Sequence, residues 1–364
     1  MRVLILTSST GGCHNMRARA FTEWADDGFI VRTHRPLEDS HGIYAFGVGL
    51  YNWIQSTAPR LHHIYFNFLE AVPIVRTSKP LGAERYRAVL EEFRPDVILS
   101  VHDSLNHGFF EYARTVLGGD RVHCVTYCDE LAGGYGFSRH WVNPAADLFL
   151  GAVPATCEAA ISCGMPPEKT RVAGFLNRRV FYETDSEPTD EFTLLLMASG
   201  RGAQNHVRFL DALRRAGVDV PVNVLCGMSA MAAKAVTTWA VANPAWRVRV
   251  WPSDSNVARL MRSASAVVAR PGTGTTSEAV LSRCPLLLNG LGGVMPQEML
   301  SVKFCRRHGL GELLRRPDDL ARFVAAWRVK PSLLAEVRQR MQAACPPSDP
   351  REFLKTIAGL VQSR

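Results

Sequence analysis

None of the nine cysteines in this 364-residue chain pairs with another at CxxC spacing. Cys124 and Cys128 have no second pair at zinc-ribbon spacing, so the thiols read as reduced side chains of a cytoplasmic protein rather than metal ligands or disulfides. Long apolar runs are missing too, for no stretch reaches the roughly 18 residues of a spanning helix. The opening Met1–Leu6 is cut off by Thr7-Ser-Ser-Thr-Gly-Gly12, which is too short for a signal segment and reads as a first strand. No basic tail or RNP-type motif concentrates the net charge of +8. Charge alone leaves nucleic acid, an acidic membrane surface and a phosphorylated substrate open as partners. Internal repeats and low-complexity tracts are also lacking.

What is present is the composition of a folded globular chain, 47% hydrophobic and 21% charged, long enough for two domains. Short apolar runs recur at Val3–Leu6, Val97–Val101, Val122–Tyr127, Leu148–Leu150, Thr193–Met197, Val222–Cys226, Val248–Trp251, Ala266–Ala269 and Pro285–Leu288. Amphipathic stretches such as Met16–Ala25, Ala83–Phe93, His206–Ala216, Met231–Ala242 and Val257–Ala264 lie between them. Strands alternating with helices predict parallel sheets covered on both faces. The polar, acidic stretch Tyr182–Asp190 reads as an interdomain linker, and Pro350–Arg364 as a helix after a proline-rich break.

Between His34 and Pro80 aromatic residues crowd together, among them Tyr51, Trp53, Tyr65 and Phe66, with Arg60, His62 and His63 between them. Such a stretch suits a lipid headgroup layer or an amphiphilic acceptor. A pair of core helices accounts for the same pattern.

Three glycine turns carry the chemistry. After the first strand, Gly11 and Gly12 permit a sharp turn and leave a helix N-terminus open to bound oxygen atoms. The spacing is not GxGxxG, which argues against a dinucleotide. His14 follows at the strand's carboxyl end, where open α/β sheets place ligands, and an imidazole there can take a proton from a hydroxyl. The second domain opens alike, with Gly200, Arg201 and Gly202 after a strand. The strongest signal is Arg270-Pro-Gly-Thr-Gly-Thr-Thr-Ser-Glu278: Gly274, Thr275 and Thr276 offer donors to phosphate, and Glu278, about a turn into the next helix, can accept from two ribose hydroxyls.

These residues resemble the two-domain (GT-B) glycosyltransferases that include monogalactosyldiacylglycerol synthases and processive diacylglycerol glucosyltransferases and, more distantly, the muramyl-pentapeptide N-acetylglucosaminyltransferase. The resemblance also covers Arg171–Arg178, Cys226-Gly227, and Leu288-Asn289 leading to Pro296-Gln-Glu298. It implies an α/β chain of two Rossmann-like domains facing a cleft. Residues 1–182 would bind the acceptor, with the helix 350–364 packing back on them, and residues 190–345 would bind a UDP-sugar. Thr275 and nearby amides would meet the diphosphate, Glu278 the ribose, Gln297 and Glu298 the sugar, Arg178 the diphosphate, and backbone near Trp251 the uracil. His14 would be the acceptor base, with Asp129 orienting it or the acceptor. Cys13 stands where the family's histidine motif has a third glycine, and Pro296 where a glycine is common.

The implied reaction is inverting transfer of a hexose to a hydroxyl, with a lipid such as diacylglycerol as acceptor. No cofactor or metal is expected, since no Asp-x-Asp triplet is present, and no nucleic acid. A cytoplasmic protein, peripheral on the inner face of a membrane, is the matching location. The rivals are a UDP-sugar epimerase on the same architecture, transfer to a soluble acceptor, and a non-catalytic binding protein. An epimerase would need no acceptor groove.

Overall fold

A computed structural model of the chain describes all residues except 11, 72–78, 120, 184–188, 198–204, 254, 348 and 363–364. Contacts divide the chain into two compact units, one of residues 1–179, 295–300 and 346–364, the other of residues 180–294 and 301–345.

The first unit is built on strands β1 (Arg2–Leu6), β2 (Ile30–His34), β3 (Val97–Ser100), β4 (His123–Cys128), β5 (Leu148–Gly151) and β6 (Thr170–Val172). They pair in parallel in the order β2-β1-β3-β4-β5-β6. Val3–Leu6 and Val97–Leu99 are wholly buried, as strands covered on both faces require. The chain reverses its direction of travel across the sheet between β1 and β3, so their carboxyl ends flank a crevice left by loops that diverge there.

Helix Cys13–Trp24 turns Arg17, Ala18, Phe21 and Trp24 inward, the spacing of one helical face. The last helix, Pro350–Gln362, belongs to this unit because Phe353, Leu354 and Ile357 bury themselves in it. Phe353 meets Phe21 edge-on at 5.9 Å and Tyr127 at 5.3 Å. Residues 295–300, within the span assigned above to the second domain, also pack here, and Leu300 joins this core. Gly136 makes that fit possible: its φ is +102°, and a Cβ there would stand 2.0 Å from the Pro296 carbonyl oxygen.

The second unit carries β7 (Leu194–Met197), β8 (Val222–Leu225), β9 (Val248–Trp251), β10 (Ala266–Ala269), β11 (Leu286–Asn289) and β12 (Gly311–Leu314). The order β12-β11-β10-β7-β8-β9, all parallel, is that of dinucleotide-binding folds read from their own first strand. Its switch point lies between β7 and β10. Its core gathers Leu194, Leu196, Phe209, Leu213, Val224, Val268 and Leu287.

Three strands fall outside the apolar runs: β2, β6 and β12. Each ends its sheet and leaves much of its surface exposed, so it needs no continuous apolar sequence.

Replacing Phe353 by alanine should cost about 3–5 kcal/mol, because a large ring is removed from a filled interior. Urea denaturation of the full chain, followed by tryptophan fluorescence, should show an earlier transition than wild type.

Candidate functional site

In the first unit the crevice at the β1/β3 switch point holds two histidines. Gly12, at φ +83°, caps helix Cys13–Trp24 in a conformation open to glycine, and His14 stands in the first turn. Its Nδ1 lies 2.7 Å from the carbonyl of Val101. A carbonyl can only accept, so Nδ1 carries the hydrogen and Nε2 keeps the lone pair.

The His102 ring packs at 4.3 Å from that of His14, with Trp141 at 6.1 Å on the same imidazole. His102 Nδ1 accepts from the Ser104 amide at 3.1 Å, which leaves Nε2 to donate to the Thr10 hydroxyl at 2.7 Å. Burial and the neighbouring His102 lower the pKa of His14 to about 4, against the opposing pull of Asp129, Asp103 and the Val101 carbonyl. His14 is therefore a neutral imidazole at pH 7, partly exposed, with a free lone pair.

Asp129 follows β4 and is buried. It accepts from Arg17 Nε at 2.8 Å and from Cys13 Sγ at 3.0 Å. Arg17, itself buried, also donates to the Leu176 carbonyl at 2.9 Å and to Asn177 Oδ1 at 2.6 Å. Burial would raise the Asp129 carboxyl, but Arg17, His14 and the Cys13 hydrogen bond outweigh it and hold it down at about 2. The group orienting the His14 ring is thus the Val101 carbonyl, and Asp129 acts on His14 through charge.

The second unit presents helix Thr273–Leu281 at its own switch point, after β10. The helix begins at Thr273 with Gly272 as N-cap, so Gly274 and Thr275 already lie in its first turn rather than in a preceding loop. The open amides of that turn face the sheet's carboxyl edge. Thr275 and Glu278, three residues apart, share the partly exposed face, whereas Thr276 is fully buried, its hydroxyl included. Arg270 donates to the carbonyls of Leu291 and Gly293, at 3.2 Å and 2.9 Å, and so shapes the neighbouring loop. Gly227, exposed at φ +57°, follows β8, and Trp251 closes β9 with Nε1 on Asn223 Oδ1 at 2.7 Å and the Arg249 guanidinium 3.8 Å over its ring. Gly200 and Arg201 lie outside the described residues, as does most of the linker at 182–190.

Other expected residues sit differently from the sequence reading. Gln297 and Glu298 group with the first unit, and Glu298 Oε2 accepts from the Met295 amide at 2.9 Å, which uses one of its oxygens to hold its own helix start. Arg178, by contrast, stands where the sequence reading has it, at the end of the first unit's 1–179 segment, and is half-buried. Of the four aromatic residues, only Trp53 is exposed. Tyr51 and Tyr65 pack against buried His62 with ring centroids at 4.5 Å and 5.8 Å, and Phe66 is buried. The exposed apolar face of helices Gly42–Thr57 and His62–Ala71 is made instead by Ile43, Phe46, Trp53, Ile64 and Phe68.

His102, Asp103, Arg17 and Glu130 were not singled out from sequence. His102 and Asp103 directly follow an apolar run, the position of ligand-facing residues in such sheets, and that signal was available. Nothing in its residue type marks Arg17 as buried.

No family model matches the chain. Among solved structures it is similar to Acinetobacter baumannii MurG, with a TM-score of 0.62 at 15% identity, covering 100% of this chain and 99% of that one. It is also similar to Anabaena HepE in complex with UDP-glucose, at 0.57 and 15% over the whole of both chains. UDP-GlcNAc 2-epimerase of Neisseria meningitidis, bound to UDP-GlcNAc, follows at 0.59 and 12%, covering 99% of this chain and 100% of that one. Two parallel Rossmann-like sheets with these likenesses define the GT-B architecture.

By sequence the chain resembles the monogalactosyldiacylglycerol synthases. It is 26% identical to synthase 3 of Arabidopsis thaliana over 361 residues, 89% of this chain and 74% of the relative. Synthase 2 of the same plant is 24% identical over 400 residues, 100% of this chain and 81% of the relative. On these likenesses the chain is a glycosyltransferase.

Changing Arg17 to methionine should destabilise the protein by about 3–5 kcal/mol at pH 7, because it strands a buried carboxylate. Asp129 has a depressed folded pKa, so its stabilisation is complete above the ordinary value of about 3.9 and is lost as pH falls through about 2. Urea midpoints from pH 7 to pH 2 should therefore fall more steeply for wild type than for Arg17→Met.

Proposed function

We propose that the chain transfers a hexose from a UDP-sugar to the hydroxyl of a diacylglycerol-type lipid, with inversion at the anomeric carbon and without a metal or other cofactor. Hexose transfer from a UDP-sugar rests on the kinship with the galactolipid synthases together with the UDP-sugar complexes of structural neighbours. The observation that carries the acceptor chemistry is His14, a neutral imidazole held by the Val101 carbonyl with its Nε2 lone pair unused. In the proposed step the acceptor oxygen attacks the anomeric carbon opposite the diphosphate, the bond from that carbon to UDP breaks, and the proton passes to Nε2. The carboxylates of Asp129 and Asp103 favour the imidazolium that forms.

On the second unit, Glu278 and Thr275 are the ribose and diphosphate ligands of this reading. The open N-terminus of their helix favours the charge that gathers on the leaving group. The lack of an Asp-x-Asp triplet supports the metal-free form.

A lipid acceptor is supported by the names of the relatives and by the apolar face of the two helices at 42–71. Among the described residues no helix is long and apolar enough to cross a membrane. A face of exposed Phe46, Trp53, Ile64 and Phe68 on a chain of net charge +8 suits peripheral binding to an anionic bilayer. The epimerase reading shares the fold but gives these residues no task.

Three measurements test this. Converting His14 to alanine should lower kcat about 10²–10⁴-fold with UDP-sugar binding unchanged. In wild type the acid limb of kcat/KM should lie near pH 4, because the neutral base persists down to that value. A limb at the ordinary histidine value of about 6.5 would exclude His14 as described. The triple change of Phe46, Trp53 and Phe68 to serine should abolish sedimentation with anionic vesicles while leaving UDP release in detergent micelles near wild type.

A further inference from the structure

One buried carboxyl in the first unit has no part in the chemistry above. Glu130 directly follows Asp129 at the end of β4, is 6% exposed, and has its Oε2 buried without a hydrogen-bond partner among the described residues. Its main chain is pinned, since the Thr156 hydroxyl donates to its carbonyl. Its side chain is close enough to Asp129 and Asp103, the two carboxylates that also act on His14, to feel their charge. The ionisable groups near it are Asp129 on its own segment, Cys128 on β4, Asp103 after β3, and Tyr51 from helix Gly42–Thr57, none of them a cation. Burial, then Asp129 and Asp103, push its pKa well above the ordinary carboxyl value. Burial and the two carboxylates thus favour the un-ionised form of Glu130, which can donate through O–H. Leaving such a group unmatched costs about 1–3 kcal/mol, and folded proteins retain few of them.

We propose that Glu130 is an acceptor-specificity residue, whose carboxylic acid donates a hydrogen bond to an ester carbonyl of a diacylglycerol-type acceptor placed with its free hydroxyl at His14. The proposal rests on the lipid-acceptor reading above and adds the group that recognises the acyl ester. A diacylglycerol offers one hydroxyl, which is consumed in donating to His14 Nε2. Its remaining oxygens belong to esters and only accept. A pocket for such a molecule needs a hydrogen-bond donor, which a protonated carboxyl supplies and a carboxylate does not. The carboxylates of Asp129, held by Arg17, and of Asp103, which accepts from the Ser104 amide and hydroxyl, favour the form of Glu130 that donates. A site that hydrogen-bonds its substrate in a dry pocket also rejects analogues lacking the partner atom, because the donor is then stranded.

The test pairs the residue with the carbonyl. Full-length wild type, Glu130→Gln and Glu130→Leu are assayed in mixed micelles with dioleoylglycerol and with the dialkyl ether analogue that lacks both carbonyls, using UDP-galactose and UDP-glucose as donors. Wild type should prefer the ester lipid by roughly tenfold to a hundredfold in kcat/KM, mainly through KM. Glu130→Leu should lose that preference while keeping its KM for the donor, and Glu130→Gln, whose amide still donates, should retain most of it. The proposal is overturned if Glu130→Leu discriminates between ester and ether as wild type does. It is equally overturned if wild type turns over both lipids alike. Should Glu130→Leu fail to fold, the wild-type ratio and Glu130→Gln decide the matter. If wild type releases UDP with a sugar or other soluble alcohol but glycosylates neither lipid, the lipid-acceptor reading itself fails, and the role of Glu130 falls with it.

Discussion

The buried ion pair of Arg17 and Asp129 is the contact on which the first unit's chemistry depends. Arg17 lies one helical turn after His14, and its guanidinium joins the first helix to the end of β4 and to the segment at Leu176 and Asn177. Two charges in a dry interior are tolerated because their hydrogen bonds are short and shared with backbone and amide oxygens. Holding that helix fixes the approach of His14 to the Val101 carbonyl. Holding Asp129 fixes Glu130, the next residue, and keeps a negative charge close enough to raise its pKa. One interaction thus positions a neutral histidine and adds to the burial that raises the pKa of Glu130.

The two titratable side chains are pushed in opposite directions by the same burial. Burial favours the neutral form of each, so His14 is an uncharged acceptor at pH 7 and Glu130 is shifted toward its protonated, donating form. That pairing suits an uncharged alcohol better than an anionic substrate. The second unit offers a different chemistry at its own switch point: a helix N-terminus with Thr275 and Glu278 on its partly exposed face, suited to phosphate and ribose. The division of the molecule follows from two sheets that each place their reactive loops beyond the carboxyl ends of parallel strands.

Much of this was legible in the chain itself. Interior strands announce themselves as continuous apolar runs, since both faces are covered, and nine such runs match strands of the structure. Of the strands that end a sheet only β9 carries such a run, so β2, β6 and β12 were not seen. The aromatic stretch was recognised as unusual, but aromatic type does not say which ring turns outward. Tyr51 and Tyr65 close around His62 while Phe46 and Phe68 project, an outcome set by helix phase and by what each helix packs against. Thr276 shows the same limit on a smaller scale, because one residue of helical rotation separates it from partly exposed Thr275.

From its sequence alone the chain is determined as two parallel α/β domains with a histidine at the first turn and a Gly/Thr-rich helix start ending in Glu278. Those features depend on local hydrophobic period and on backbone freedom at glycine, which neighbouring residues settle among themselves. Tertiary structure alone decided that His102 lies against His14, that Arg17 pairs with Asp129 and that the pKa of Glu130 is raised. Each of these arises between residues distant along the chain, brought together by strand order and burial. Their charges depend on the water that packing removes, and no local pattern in the chain encodes that removal.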